Sequence, residues 1–194
     1  GVKQYVAGTP KPTDLPAAKH YCRPLEALAI YVDAPVPRVL VNAGPPKRTA
    51  VIHPGSGSEK KNWPVEKFAA VGRWLVDELN LGLAVVRGEA DESAVARLLA
   101  ALAPRPVRVL TGLKLPALAV ELAECAVFIG NDSGITHLAA AVGAPVVAVF
   151  GPASTALWHP PQPNARVISF GAGDVAAVRR AVEDSSRWRT SHLA

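Results

Sequence analysis

The chain has 194 residues, 49% of them hydrophobic, enough to bury a sizeable core, which excludes disorder as a description of the whole. Lysine and arginine (21) outnumber aspartate and glutamate (16), giving a formal charge of +5. Few aromatic residues, no helix-turn-helix pattern and no zinc spacing accompany that charge, which argues against nucleic acid and for a polyanionic small molecule or an anionic membrane surface.

No apolar run reaches the roughly 18 to 20 residues that span a bilayer, and the first residues lack the apolar core of a signal peptide, so a soluble protein is expected. Cys22 and Cys125 read as buried thiols, which favours a reducing compartment over a disulfide framework. The basic excess gathers at Lys47, Arg48, Lys60 and Lys61 and toward the end at Arg179, Arg180, Arg187 and Arg189.

Along the chain, Pro10, Pro12 and Pro16 make the opening irregular. Residues 17–32 then predict a helix with Ala18, Cys22, Leu25 and Leu28 or Ala29 on one apolar face. Gly44 and Pro35, Pro37, Pro45 and Pro46 mark a linker. From residue 49 short apolar runs alternate with helical patterns. Strands are expected at 49–53, 82–87, 107–110, 126–130, 145–150 and 166–169. Helices are expected at 65–80, 91–102, 114–124, 135–142 and 174–183. In the first of these, Phe68, Val71, Leu75 and Leu79 recur at helical spacing behind Pro64. Strands rich in Val, Ile, Leu and Ala are covered on both faces, so the alternation predicts an α/β, Rossmann-like doubly wound parallel sheet, whose ligands bind beyond the carboxyl ends of the strands. The predicted organisation is a connecting segment over 1–48, a domain over 49–184 and a tail over 185–194, with Trp188 and Arg189 in the tail.

Three strand ends are polar where the strands are not. The first is His53-Pro54-Gly55-Ser56-Gly57-Ser58 followed by Lys60 and Lys61, whose amides, hydroxyls and ammonium suit a phosphate; a flexible turn with solvated lysines is the alternative. It matches neither a Walker A loop nor a dinucleotide fingerprint. The second is Arg87-Gly88-Glu89-Ala90-Asp91-Glu92. Here Asp91 and Glu92 read as helix-start caps and Glu89 is left open between that role and a sugar hydroxyl. The third is Gly130-Asn131-Asp132-Ser133-Gly134-Ile135-Thr136-His137, a strand opening into a helix. Its unpaired amides and dipole favour an anion, and an ordinary capped turn is the alternative. His20, His53, His137, His159 and His192 are scattered, with no metal-ligand spacing and no Ser/His/Asp order, so no metal, cofactor or triad is expected.

Two of these motifs together, His53-Pro54-Gly55-Ser56 with Lys61-Asn62-Trp63-Pro64, and Gly130-Asn131-Asp132-Ser133-Gly134 with Thr136-His137-Leu138 and Phe150-Gly151-Pro152, resemble the nucleotide-sugar domain of glycosyltransferase family 9 over about residues 49–161. The best-known members of that family are the ADP-heptose:lipopolysaccharide heptosyltransferases. The resemblance implies the C-terminal half of a GT-B enzyme. It places Ser56, Ser58, Lys61, Ser133, Gly134, Ile135, Thr136 and His137 around the donor diphosphate, and Asp132 and Glu89 at donor sugar or ribose. It further implies inverting transfer from ADP-heptose or a related nucleotide sugar to a lipopolysaccharide core acceptor, at the cytoplasmic face of the membrane.

No catalytic residue is assigned within this chain, because the family's general base lies in an N-terminal domain for which residues 1–48 leave no room. The expectation is a C-terminal portion that binds donor and transfers poorly alone. Ala153, Ser154 and Thr155 depart from the family's Thr-x-Pro after Gly151-Pro152. A noncatalytic nucleotide-binding module and a sugar-nucleotide epimerase or hydrolase are the competing functions.

Overall fold

The computed structural model describes residues 11–169 and 175–191, apart from the side chains of 152–154 and 186–191. Six parallel strands, β1 (Thr49–His53), β2 (Gly82–Arg87), β3 (Arg108–Thr111), β4 (Val127–Asn131), β5 (Val146–Phe150) and β6 (Ala165–Ser169), form one sheet in the order β3-β2-β1-β4-β5-β6. This is the doubly wound topology expected of the sequence. Between β1 and β4 the direction in which strands are added reverses, which opens a crevice at their carboxyl ends.

The period-two pleat sorts the side chains between two cores. Ile52, Val85, Ile129 and Val147 face α2 (Val65–Asp77), α3 (Glu92–Leu102) and α7 (Val175–Ser191), whose Phe68, Leu75, Leu98 and Val182 complete one layer. Val51, Val86, Phe128 and Ala148 face α4 (Leu115–Glu124) and α5 (Gly134–Ala141) through Leu118, Leu122 and Ala139. At roughly 25 cal/mol per Å² of apolar surface removed from water, these two layers dominate the stability of the domain.

The structure departs from the sequence expectations at the ends of the chain. The predicted helix over 17–32 stops as α1 (Ala17–Cys22) and continues as a 3-10 turn over Arg23–Leu28. Pro24 lacks an N–H to donate to the previous turn, and Ala29 adopts a left-handed φ of 57° that ends the segment. The expected apolar face is accordingly not buried. Leu28 is exposed and Cys22 half-buried, whereas Cys125 is buried as predicted.

An additional helix, α6 (Pro152–Trp158), follows β5, where Gly151-Pro152 reads locally as a loop; proline at the first helical position is tolerated because that N–H has no intrahelical partner. Helix α7 runs through Ser191, so the tail expected from Ser185 is largely helical. The side chains of Trp188 and Arg189 and the whole of His192 lie outside the described residues, as does Asp174.

Much of the basic excess is tied down far from the strands' carboxyl ends. Lys47 pairs with Glu124, and the Arg48 guanidinium donates to the carbonyl of Leu79 at 3.2 Å, both beside the opposite end of β1. Arg179 bonds Glu78 at 2.8 Å and stacks 4.7 Å from the Trp74 ring centroid. Among the described residues no helix is long and apolar enough to cross a membrane.

Candidate functional site

The three polar strand ends meet at the crevice between β1 and β4. The loop after β1 is held to the end of β4 by Asn131, which is wholly buried. Its amide nitrogen donates to the carbonyl of Pro54 at 2.8 Å, and its side-chain oxygen accepts the backbone N–H of Trp63 at 2.9 Å. The Trp63 indole is buried edge-on to Phe68 at 5.0 Å, so the loop is anchored on the core at its far end. Within it, Ser56 Oγ donates to the Ser58 carbonyl at 2.7 Å and accepts the Ser58 N–H at 3.2 Å, a local turn that needs no other element.

This anchoring carries Lys61 to the start of α5. Its ammonium lies 2.9 Å from Asp132 Oδ2; the Lys61 side chain is about half exposed, and that of Asp132 is 8% exposed. Ser133 caps α5, its Oγ accepting the Thr136 N–H at 3.3 Å. Thr136 turns inward: it is fully buried and its hydroxyl donates to the Asn131 carbonyl at 2.5 Å. Gly134 and Ile135, whose amides come ahead of the first intrahelical bonds, line the larger of the cavities at this helix start. Gly130 makes the junction possible. A Cβ there would lie 2.8 Å from the Phe128 ring and 3.1 Å from Thr136 Oγ1.

Two cavities open on either side of this helix start, and Gly57, Ser133 and Gly134 belong to both. One, of about 750 Å³, is walled by Val86, Leu110, Leu115 and Leu118, with Glu89 at its polar side. The other, of about 520 Å³, is lined by Lys61, Asp132, His137, Tyr21, Trp158 and Gln162. The Tyr21 and Trp158 rings stand 6.4 Å apart there. Burial pushes the His137 imidazole below its ordinary pKa against the opposing pull of Asp132, and His159 adds to the depression. His137 therefore enters neutral solution uncharged. Ser58 borders neither cavity.

Behind the helix start lies a buried chain of polar groups. His53, 2% exposed, places Nε2 2.9 Å from Asp91 Oδ2 and Nδ1 3.2 Å from Ser133 Oγ. Asp91 also accepts the Gly88 N–H at 3.3 Å, and its carboxyl is held below the usual carboxylate range, chiefly by the hydrogen bond from His53. The expectation that Asp91 caps a helix start is met at the 3-10 turn Glu89–Asp91, where its carboxylate takes the Gly88 N–H; at the N-cap of α3 it makes no capping bond, and the same carboxylate accepts from His53. Gly55 leaves room for that carboxylate, since a Cβ there would fall 1.7 Å from Asp91 Oδ1.

A family model described as glycosyltransferase family 9 (heptosyltransferase) matches residues 27–184. The chain belongs to glycosyltransferase family 9. It is 37% identical over 119 residues to lipopolysaccharide heptosyltransferase 2 of Escherichia coli K12, an alignment taking in 58% of this chain and 33% of the relative. Its fold is similar to the glycosyl transferase family 9 structure from Veillonella parvula DSM 2008, with a TM-score of 0.77 at 22% identity over 90% of this chain and 61% of that one. It is likewise similar to E. coli heptosyltransferase WaaC with ADP, with a TM-score of 0.65 at 24% identity over 74% and 46% of the two chains. The chain spans about a third of the curated relative's length.

In this family 9 chain the two motifs singled out in sequence fall on one crevice, and Glu89 lines one of its cavities. The residues missed in sequence are His53 and Asp91 as a bonded pair, Asn131 as the strut between loops, and the Tyr21 and Trp158 wall. A signal existed for Asn131, which closes an otherwise apolar strand at a buried position. None existed for Tyr21 and Trp158, which lie 137 positions apart and meet through the packing of α1 on α6.

Proposed function

We propose that the chain is the donor-binding part of an inverting glycosyltransferase of GT-B architecture, taking ADP-heptose or a closely related nucleotide sugar and working in assembly of the lipopolysaccharide core. The observation that carries this is the start of α5 standing between two cavities with Lys61 beside it. A nucleotide sugar has the same three-part layout, with a diphosphate in the middle, a nucleoside at one end and a sugar at the other.

In this reading the amides of Gly134 and Ile135 and the Lys61 ammonium receive the diphosphate, with Ser56 on the facing loop and His137 donating a ring N–H. Ser133 and Thr136 hold the helix start in shape from within, and Ser58 holds the turn that presents Ser56. The larger, apolar-walled cavity takes the nucleoside, with Glu89 accepting from ribose hydroxyls. The smaller one takes the sugar, with Asp132 accepting from its hydroxyls and the Tyr21 and Trp158 rings lying along its apolar face.

Negative charge grows on the diphosphate as the bond to the anomeric carbon breaks, so donors aimed there stabilise the transition state more than the ground state. The carboxylate that deprotonates the acceptor hydroxyl is assigned to a partner half of the enzyme, since in this reading Asp132 is taken up by the donor sugar's hydroxyls and Glu89 opens on the other cavity. A lipopolysaccharide core acceptor would bring the enzyme to the cytoplasmic face of the membrane.

Calorimetry of the chain with ADP, UDP, GDP and ADP-heptose tests the reading. ADP-selective binding that strengthens with the sugar attached is expected, and a folded chain that binds none of the four would end it. Transfer assayed with ADP-heptose and a lipid A acceptor bearing Kdo tests the assignment of the base, which robust turnover by this chain alone would overturn.

A further inference from the structure

His53 and Asp91 are the polar pair nearest the helix start that the proposed donor contacts leave unused. Both are buried, at 2% and 8% exposure, where polar groups persist only when hydrogen-bonded. They come from the ends of two adjacent strands, and the chain of bonds they begin ends on the α5 cap from a third: Asp91 Oδ2 to His53 Nε2 at 2.9 Å, His53 Nδ1 to Ser133 Oγ at 3.2 Å, Ser133 Oγ to Thr136 N at 3.3 Å. A purely structural salt link would not need its second ring nitrogen aimed at the capping hydroxyl.

With one proton on the ring, the direction of each bond follows from the first. A carboxylate accepts only, so the nitrogen facing Asp91 carries the ring proton. In the neutral ring Nδ1 is then an acceptor. Ser133 answers with its O–H, which leaves its lone pairs for the Thr136 amide. The hydroxyl is thereby fixed in its capping rotamer, its proton spent inward. Thr136 Oγ1, 3.2 Å from Ser133 Oγ, competes for that proton, and it is itself directed onto the Asn131 carbonyl. The other titratable groups at the helix start are Lys61 and Asp132, which bond each other, and His137, whose burial disfavours its charged form. None of them supplies this orientation.

We propose that Asp91 is a positioning residue that acts through His53: it sets the tautomer of that ring, and so the rotamer of Ser133, keeping the amides of Gly134 and Ile135 aligned for a diphosphate. The inference rests on the reading of this helix start as the diphosphate site. It assigns a role in donor binding to two side chains at the edge of the larger cavity that act through the cap of α5. Gly55 is part of the device, because any larger residue would displace the carboxylate that begins it.

The test is the isosteric Asp91→Asn. An asparagine whose amide nitrogen faces His53 donates to Nε2, moves the ring proton to Nδ1 and reverses the bond to Ser133; one whose amide oxygen replaces Oδ2 between His53 and the Gly88 N–H keeps the proton on Nε2, and binding should then be unchanged, a loss in that case overturning the inference. Nitrogen-15 spectra of the histidine rings near about pH 8 should show the Nε2–H form at His53 in the unaltered chain and the Nδ1–H form in Asp91→Asn. Titration with inorganic pyrophosphate and with ADP should show affinity down about tenfold, the scale of one lost hydrogen bond.

Ser133→Ala should reproduce the loss and Ser133→Thr should avoid it. This pair carries the test if Asp91→Asn does not fold by circular dichroism. Asp91→Asn that reverses the tautomer yet binds pyrophosphate and ADP as before overturns the inference and leaves the donor reading standing. So does an unaltered chain whose His53 carries its proton on Nδ1. Sensitivity of pyrophosphate binding to Asp91→Asn, with ADP bound no better than pyrophosphate, supports the inference and removes the nucleotide. Binding of neither ligand by the unaltered chain overturns both.

Discussion

Lys61 and Asp132, 71 positions apart, are joined across the crevice by a 2.9 Å ion pair whose acid is buried and whose base is half exposed. In the proposed complex this pair opens, the ammonium swinging to the diphosphate and the carboxylate to the sugar. Lys61→Ala should weaken ADP about tenfold, roughly 1.4 kcal/mol, and flatten the dependence of binding on salt. Asp132→Ala should reduce the gain that ADP-heptose shows over ADP while sparing ADP itself. Titrations at two ionic strengths check both, and equal losses for ADP and ADP-heptose in Asp132→Ala would sink the division of labour.

His137 has a pKa depressed by burial, so in the folded chain it takes up a proton less readily than in the unfolded one. The sign follows: its contribution to stability is complete above the ordinary imidazole value of about 6.5 and is lost as pH falls through the lower folded value. Stability curves of the chain and of His137→Gln should run parallel at neutral pH and converge on the acid side. A diphosphate arriving beside the ring favours its charged form, so ADP binding just below pH 6.5 should take up a proton. Calorimetry in buffers of different ionisation enthalpy reads that uptake, which His137→Gln should abolish.

Gly55→Ala tests the close approach of the loop to Asp91. The added Cβ would overlap the carboxylate, 1.7 Å from Oδ1, so either the loop lifts or the bond to His53 breaks. Overpacking of this kind costs about 1–3 kcal/mol. Thermal unfolding should show the loss, and a variant as stable as the parent would mean that loop and carboxylate are not held together as described.

Asn131→Leu keeps the volume of the strut and removes its bonds. The bonds from Asn131 to the Trp63 amide and the Pro54 carbonyl would be lost in a buried setting, at a cost of about 2–3 kcal/mol. Because the same bonds seat Lys61, ADP affinity should fall together with the melting temperature. Reduced stability with full ADP affinity would show that the loop finds its place without Asn131.

The strands of the sheet were legible almost to the residue, β1 and β2 at their observed bounds and β3 and β4 displaced by one position. Buried parallel strands are written as unbroken apolar runs, and a run is a local property. The start of α1 was legible but not its end, and α6 was not legible. Pro24 cuts the first where periodicity alone would continue it, and Gly151-Pro152 reads locally as a loop where α6 begins. The site was legible as motifs, from Lys61 to Asp132 to His137. The motifs named the groups but not their pairing: Asp91 reads as a cap from its place before a helix, and only the neighbouring strand shows that its carboxylate faces His53.

The residues in order were thus sufficient to determine the layered sheet, the polar turns at its carboxyl edge and the kinship to family 9, since each is carried by residues close together in the chain. Which acid holds which base, which hydroxyl turns inward, and the division of one helix start between two cavities were decided by tertiary structure. Those relations join positions 38, 71 and 80 residues apart, and the register and twist of strands β2, β1 and β4 bring them within hydrogen-bond reach.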